Sequence, residues 1–383
     1  MPSKRKLLNL VALMGEKYLH IVDLDVPFPA NYGAAIDMYF RIKNLSAMGV
    51  HIILHCFEYG RGKASRLSNY CSEVHYYPRK SILQFPFRQD PYIVYSRNNS
   101  ELANRIFADD YPVLLEGVHT CSLLMDVRYK KKPFYVRMHN VEHEYYEYLA
   151  KATTHPLKKY YYQKESERLK KFEKNLDRAQ CLFSVSERDH ATLSAQFPRV
   201  EYVPPFIYND TIDCKPGRGG YALYHGNLTV AENIQAAEFL IKEVFPGLKV
   251  RLLIAGTGAS KLAKTTSLQN IEFISSPSTP DLRELVSNAQ INILPTFQPT
   301  GIKHKLINSL FIGRHCVVNP MMVEDNGLAQ YCHVASDAAQ MRNMILDLFK
   351  QEFTQAEIDR RKQTLQPVYS NVHNAEKIMK VIF

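Results

Sequence analysis

The sequence predicts an α/β protein of two Rossmann-like, doubly wound domains facing each other across a cleft. Apolar runs of four to eight residues alternate with helical patterns along the whole chain. One polar stretch containing Gly and Pro, NDTIDCKPGRGG at 209–220, interrupts that alternation. Short apolar runs separated by helices read as parallel strands buried on both faces. Two such series within 383 residues give two domains, each long enough to bury its own core.

In the first series the strands fall at 19–25, 50–57, 73–77, 112–117, 134–139, 181–186 and 200–204. Helical patterns lie between them, notably at 34–47 and 157–178. The second series has strands at 221–226, 249–256, 271–275, 291–295 and 315–319, with helices near 231–245, 279–288, 302–312 and 335–350. The domains expected are therefore 1–208 and 209–355, with closing helices at 356–383 that pack back toward the first domain.

Composition narrows the class. Apolar residues make up 46% and charged residues 22%, as in ordinary globular proteins. The seven cysteines form no C-x-x-C pair and sit mostly in apolar runs, which suits buried thiols in a reducing cytoplasm. No apolar run approaches the ~18 residues of a spanning helix. The opening MPSKRKLLNLVALMG lacks a small-residue cleavage site, so no signal peptide is expected, and Met14 is an alternative start. The net charge of +10 is uneven. Residues 1–205 hold 30 Lys and Arg against 22 Asp and Glu, whereas 206–383 hold 18 against 16. A basic first half, with clusters at Arg128–Lys132 and Lys158–Lys171, points to an anionic partner such as a membrane surface. Nucleic acid is not expected, because charge alone does not argue for it.

In open α/β sheets, ligands bind beyond the carboxyl ends of the strands, so the chemistry is sought there. Gly33 precedes the first helix, whose amino end favours an anion. Asp23 and Asp25 spell D-x-D, a spacing that arises by chance. FYVRMHNVEHEYY places His139 at a strand end, followed by Asn140 and Glu142. The same run reads H-x-x-E-H through His143, which offers a zinc site only if both histidines share one helix face. In the second half Gly226 and Asn227 follow a strand, and LLIAGTG gives only half of a dinucleotide fingerprint. In LPTFQPTGIKHKLINSLFIGRHCVVN, Thr300 and Gly301 lead into a helix carrying Lys303, Lys305 and Asn308. Cations at a helix start oppose the dipole and make sense beside a docked diphosphate.

At that segment the chain resembles the large family of retaining glycosyltransferases of GT-B architecture, the group 1 or family 4-like enzymes that build bacterial polysaccharide and lipopolysaccharide. The segments that carry the resemblance are PFPANYGAA, MHNVEHEYY, SVSERD followed by YVPPF, YHGNLTVAEN and GIKHKLINSLFIGRHCVV, so it spans nearly the whole chain. It implies a hexosyltransferase-like enzyme that moves a sugar with retention from a nucleotide-diphosphate donor, with no cofactor and no metal. It implies a donor on the second domain and a glycan or lipid-linked acceptor on the first, in the cytoplasm or at the inner membrane face. His139 and Glu142 would be catalytic. Gly33, Asn140, Gly226, Asn227, Thr300, Gly301, Lys303, Lys305 and Asn308 would bind the donor. The chain departs from the family at the two glutamates common there, where Thr300 and Asn308 stand, and at the usual basic pair, where Asn227 and Glu232 stand. Two other readings remain: a zinc-dependent peptidase built on H-x-x-E-H and a nucleotide-sugar epimerase of the same fold.

Overall fold

The computed structural model describes residues 15–85, 90–297, 301–324 and 326–383. Met14, the alternative start, and Thr300 lie outside these residues. The chain divides into two compact units, 1–206 with 371–383 and 207–370.

The first unit holds seven strands: β1 (Lys17–Asp23), β2 (Val50–Glu58), β3 (Glu73–Pro78), β4 (Val113–Glu116), β5 (Phe134–Met138), β6 (Cys181–Ser184) and β7 (Val200–Tyr202). They form one sheet in the order β3-β2-β1-β4-β5-β6-β7, every pair parallel. The second unit holds β8 (Ala222–His225), β9 (Leu252–Gly256), β10 (Ile271–Ser275), β11 (Ile291–Ile293), β12 (His315–Val318) and β13 (His333–Val334). Its order is β10-β9-β8-β11-β12-β13, again all parallel. The order reverses between β1 and β4 in one sheet and between β8 and β11 in the other, and such switch points open crevices at the carboxyl ends.

The helices that matter for the site and surface are α1 (Gly33–Ala47), α2 (Glu142–Ala152), α3 (Pro156–Phe172), α4 (His304–Ile312) and α5 (Asn371–Ile382). Apolar faces on both sides of the first sheet explain the uninterrupted hydrophobic strands. One core joins Leu19, Ile21 and Leu54 to Ile42 and Leu45 of α1 and to Ala375, Ile378 and Ile382 of α5. The other face joins Val22, Phe57, Leu115 and Val136 to Leu169 and Phe172 of α3.

One expectation needs correction, and one strand was not expected. The returning segment begins at Asn371, not at 356. The Gln355–Thr364 helix stays in the second unit because Ile358 is buried in that core and the buried Arg361 guanidinium caps the Leu310, Gly313 and Arg314 carbonyls. β13 was not anticipated: two half-buried residues are too short to show a period.

Candidate functional site

In the first unit, the strand ends at the β1/β4 switch carry a buried, charged network. Asp37 and Arg41 sit one turn apart on α1, and Arg41 donates to Asp37 Oδ2 at 2.7 Å. Arg137, within β5, donates to Asp37 Oδ1 at 2.8 Å and to the Val203 carbonyl at 2.7 Å. The Phe206 amide donates to Asp37 Oδ1 as well, so this junction pins the last residues of the unit. Arg41 also donates to Glu116 Oε1, and the other Glu116 oxygen meets His139 Nε2 at 2.8 Å. Burial works to raise the Asp37 pKa, but the Arg137 and Arg41 guanidiniums prevail and hold it below the usual carboxylate range.

The network orients His139. A carboxylate can only accept, so the hydrogen lies on Nε2, and Nδ1 is left buried without a partner. Other buried atoms around it also lack partners: both Asp23 carboxyl oxygens, Asn140 Oδ1 and His119 Nδ1. Burial, reinforced by Glu116, pushes Asp23 far up, and burial also raises Glu142 to about 8. Glu142 therefore carries its proton at neutral pH. Glu142 accepts from Asn140 Nδ2 at 3.4 Å and lies 4.0 Å from His119 Nδ1.

The H-x-x-E-H reading fails on this geometry. His139 lies in the bend after β5, before α2 begins at Glu142. His143 turns away and its Nδ1 meets Glu173 Oε2 at 2.6 Å. Among the described residues, one trio could converge on a metal ion: Asp37, Glu116 and His139. Arg41, Arg137, the Phe206 amide and the His139 ring already occupy every carboxylate oxygen there, which suits no further cation.

The second unit's crevice is made mainly of backbone. Gly256, at the end of β9 with φ of +146°, has no room for a side chain, since a Cβ would lie 1.8 Å from the Gly226 carbonyl oxygen. Gly226 follows β8, and a Cβ there would press on Asn233 and on Lys305 Nζ at 3.3 Å. Lys305, the second residue of α4, donates to Asn233 Oδ1 at 2.6 Å and lies over the Tyr224 ring. Burial lowers its pKa to about 8, although Glu232 opposes the shift. Among the described residues no carboxylate is within ion-pair distance of its ammonium. His225 at the end of β8 meets Ser309 Oγ at 3.4 Å, tying α4 to the strand, and burial keeps the ring neutral with a pKa near 3.

The predicted residues thus fall in two groups. His139, Asn140 and Glu142 come together in the first unit, where Gly33 opens α1 beneath Asp37 and Arg41. Gly226, Lys305 and Asn308 gather in the second, Asn308 one turn along the same face of α4 as Lys305. Lys303 is the N-cap of α4, and Gly301, exposed with φ of +85°, precedes it. The Asn227 side chain holds its own turn instead, accepting from the Thr229 amide and hydroxyl. Asp37, Arg41, Glu116, Arg137, His119 and Asn233 were missed. A signal existed for three of them: an acid and an arginine four apart on the apolar face of α1, and an arginine inside the apolar run FYVRM.

The two parallel sheets and their strand-end crevices define a GT-B fold. Solved structures of that fold superpose on nearly the whole chain. Sucrose-phosphate synthase from Thermosynechococcus elongatus matches with a TM-score of 0.68 and 13% identity over 95% of this chain and 98% of that one. TarM of S. aureus, crystallised with UDP, matches with a TM-score of 0.63 and 11% identity over 96% and 99%. WaaG, a glycosyltransferase involved in lipopolysaccharide biosynthesis, matches with a TM-score of 0.62 and 13% identity over 95% and 99%. In sequence, an uncharacterized 44.6 kDa protein in the cps region of Klebsiella pneumoniae is 27% identical over 315 residues, 76% of this chain and 79% of that relative. No family model matches the chain.

Proposed function

We propose that the chain is a glycosyltransferase. It moves a sugar from a nucleotide-diphosphate sugar to a glycan or lipid-linked acceptor in cell-surface polysaccharide synthesis, with retention of configuration. Lys305 carries the reading. It is an enclosed ammonium with only a neutral amide oxygen as hydrogen-bond partner, set beside two crowded glycines at a switch point. A diphosphate supplies the missing negative charge, and the amino end of α4 adds the positive end of its dipole. As the sugar leaves, charge builds on the diphosphate, and Lys305 neutralises it where a divalent cation would otherwise be used. In this reading Asn308, on the same helix face, meets the ribose.

The first unit contributes His139 to the transferred sugar and binds the acceptor. Buried polar atoms normally have partners. The open atoms of Asp23, His119, His139 and Asn140 therefore suit a ligand rich in hydroxyl groups. The UDP bound to TarM and the cps-region setting of the Klebsiella relative agree with this substrate class.

A thermal-shift screen of UDP-, GDP- and ADP-sugars tests the donor site. Ligand at 100 times its Kd stabilises the native state by about 2.7 kcal/mol, a shift of several degrees. If no nucleotide sugar moves the melting point, the reading is lost. With a donor in hand, the anomeric proton coupling of the product reports retention. Epimerised sugar formed without any acceptor would assign the site to an epimerase instead.

A further inference from the structure

The first sheet buries a second polar chain, which shares no residue with the one that holds His139. His20 on β1, His55 on β2 and Tyr77 on β3 are at most 2% exposed and lie on one face of three adjacent strands. His20 Nε2 meets Asp109 Oδ2 at 3.0 Å, His20 Nδ1 meets His55 Nε2 at 2.9 Å, and His55 Nδ1 meets the Tyr77 hydroxyl at 2.9 Å. Asp109 also accepts from Lys132 Nζ at 2.7 Å and from the Tyr111 amide at 2.9 Å.

With both rings neutral, one assignment of hydrogens satisfies every atom of this chain. The Asp109 carboxylate only accepts, so His20 carries its hydrogen on Nε2 and accepts at Nδ1. His55 then donates from Nε2 and accepts at Nδ1, and the Tyr77 hydroxyl donates. An added proton on His20 reverses both inner hydrogen bonds. It leaves the Tyr77 hydroxyl hydrogen without an acceptor, since His55 is its only partner among the described residues. A second proton sets N–H against N–H between the rings and breaks their contact.

Charged neighbours pull both ways. For His20, burial together with Lys132 prevails over Asp109 and Glu73 and lowers the pKa. For His55, burial lowers it further, helped by His20, His75, Arg105 and Lys132. His75 stacks on His55 with ring centres 5.2 Å apart and meets Glu73 Oε2 at 2.8 Å, while Arg105 pairs with Glu101 at 3.1 Å.

We propose that these side chains form an acid-sensitive latch. While both rings are neutral they tie β1, β2 and β3 to the Asp109 segment, and proton uptake opens the tie. The latch is independent of the sugar-transfer reading, since none of its residues belongs to either crevice.

Urea melts of the full chain across pH 5–7.5 test it, together with long-range proton–nitrogen spectra of histidine-labelled protein. The unfolded histidines take up protons near pH 6.5 and the native pair only lower. Stability should therefore hold above about pH 6.5 and fall below it, by up to about tenfold in the folding constant per pH unit for each histidine. In His55→Gln the amide can donate to His20 and accept from Tyr77 without titrating, so the acid loss should be about tenfold smaller per pH unit. Tyr77→Phe removes the hydrogen that proton uptake strands, so its histidine pair should charge at higher pH than in wild type. In the wild-type spectra both rings should be neutral, with hydrogen on Nε2, at pH 7.5. A charged ring at that pH overturns the latch even if the variants do not fold. An acid loss in His55→Gln equal to wild type, or an unchanged titration in Tyr77→Phe, overturns it as well.

Discussion

The two strand-end crevices occupy equivalent places in similar sheets, yet they are built from opposite materials. In the first unit the charges satisfy one another: Arg137, Asp37, Arg41, Glu116 and His139 form a continuous buried chain with balanced formal charge. In the second unit the walls are glycine and amide, and Lys305 has only a neutral hydrogen-bond partner. A closed network fixes geometry, whereas an open cation invites an anion. The first crevice therefore holds a ring in one orientation, and the second leaves its lysine without a counter-charge.

The comparison breaks most visibly through stability. Asp37→Asn leaves two buried guanidiniums against one carboxylate, and losing one partner of a buried pair costs about 3–5 kcal/mol. The first unit should unfold at markedly lower urea concentration while the second is unchanged, as followed by calorimetry or urea melts. Because Asp37 titrates below the ordinary carboxylate range, its contribution is complete above the unfolded-state pKa. It should decline progressively below that pKa and be gone once pH has passed the native, lower value.

Function should separate the crevices next. His139→Ala should lower kcat by about 100-fold, the loss of one well-placed polar contact in the transition state, with donor Kd unchanged by titration calorimetry. An equal loss of donor affinity would move His139 into ground-state binding. Lys305→Ala should do the reverse, weakening nucleotide-sugar binding by about 10–100-fold while the melting point holds. Lys303→Ala, at the N-cap, should weaken binding less. The pH dependence follows from the same lysine. With its pKa lowered to about 8, the free protein loses this positive charge above that pH. Donor affinity should be flat below pH 8 and fall above it, by up to about tenfold per pH unit. In Lys305→Ala the profile should be flat throughout.

The last effect concerns Glu142. Its pKa is raised to about 8 from 4.5, so the native state holds a proton that the unfolded chain has released between those values. Stability should therefore decline as pH rises from about 4.5 to 8 and level off above it. Glu142→Gln should remove that decline, melting a few degrees above wild type at pH 9 and with it at pH 4. Parallel melting curves at both pH values would show that Glu142 is ionised in the fold.

What local pattern could specify, the sequence displayed. Each of the twelve expected strands is present, because a strand buried between helices must be apolar along its length. Lys303 and Lys305 could be placed at the start of α4, and His139 at the end of β5, for the same reason: position along an element follows from neighbouring residues. The tertiary structure alone decided which side chains meet. Asp37 and Arg137 are 100 residues apart, Lys305 and Asn233 are 72 apart, and His139 finds Glu116 across neighbouring strands. It also decided that Lys132 lies buried against Asp109 while Lys158 stands in solvent, although both occur in basic clusters. Such pairings depend on sheet order and on the depth of each strand end. Those follow from how distant segments share one core, a property that no local window of residues contains.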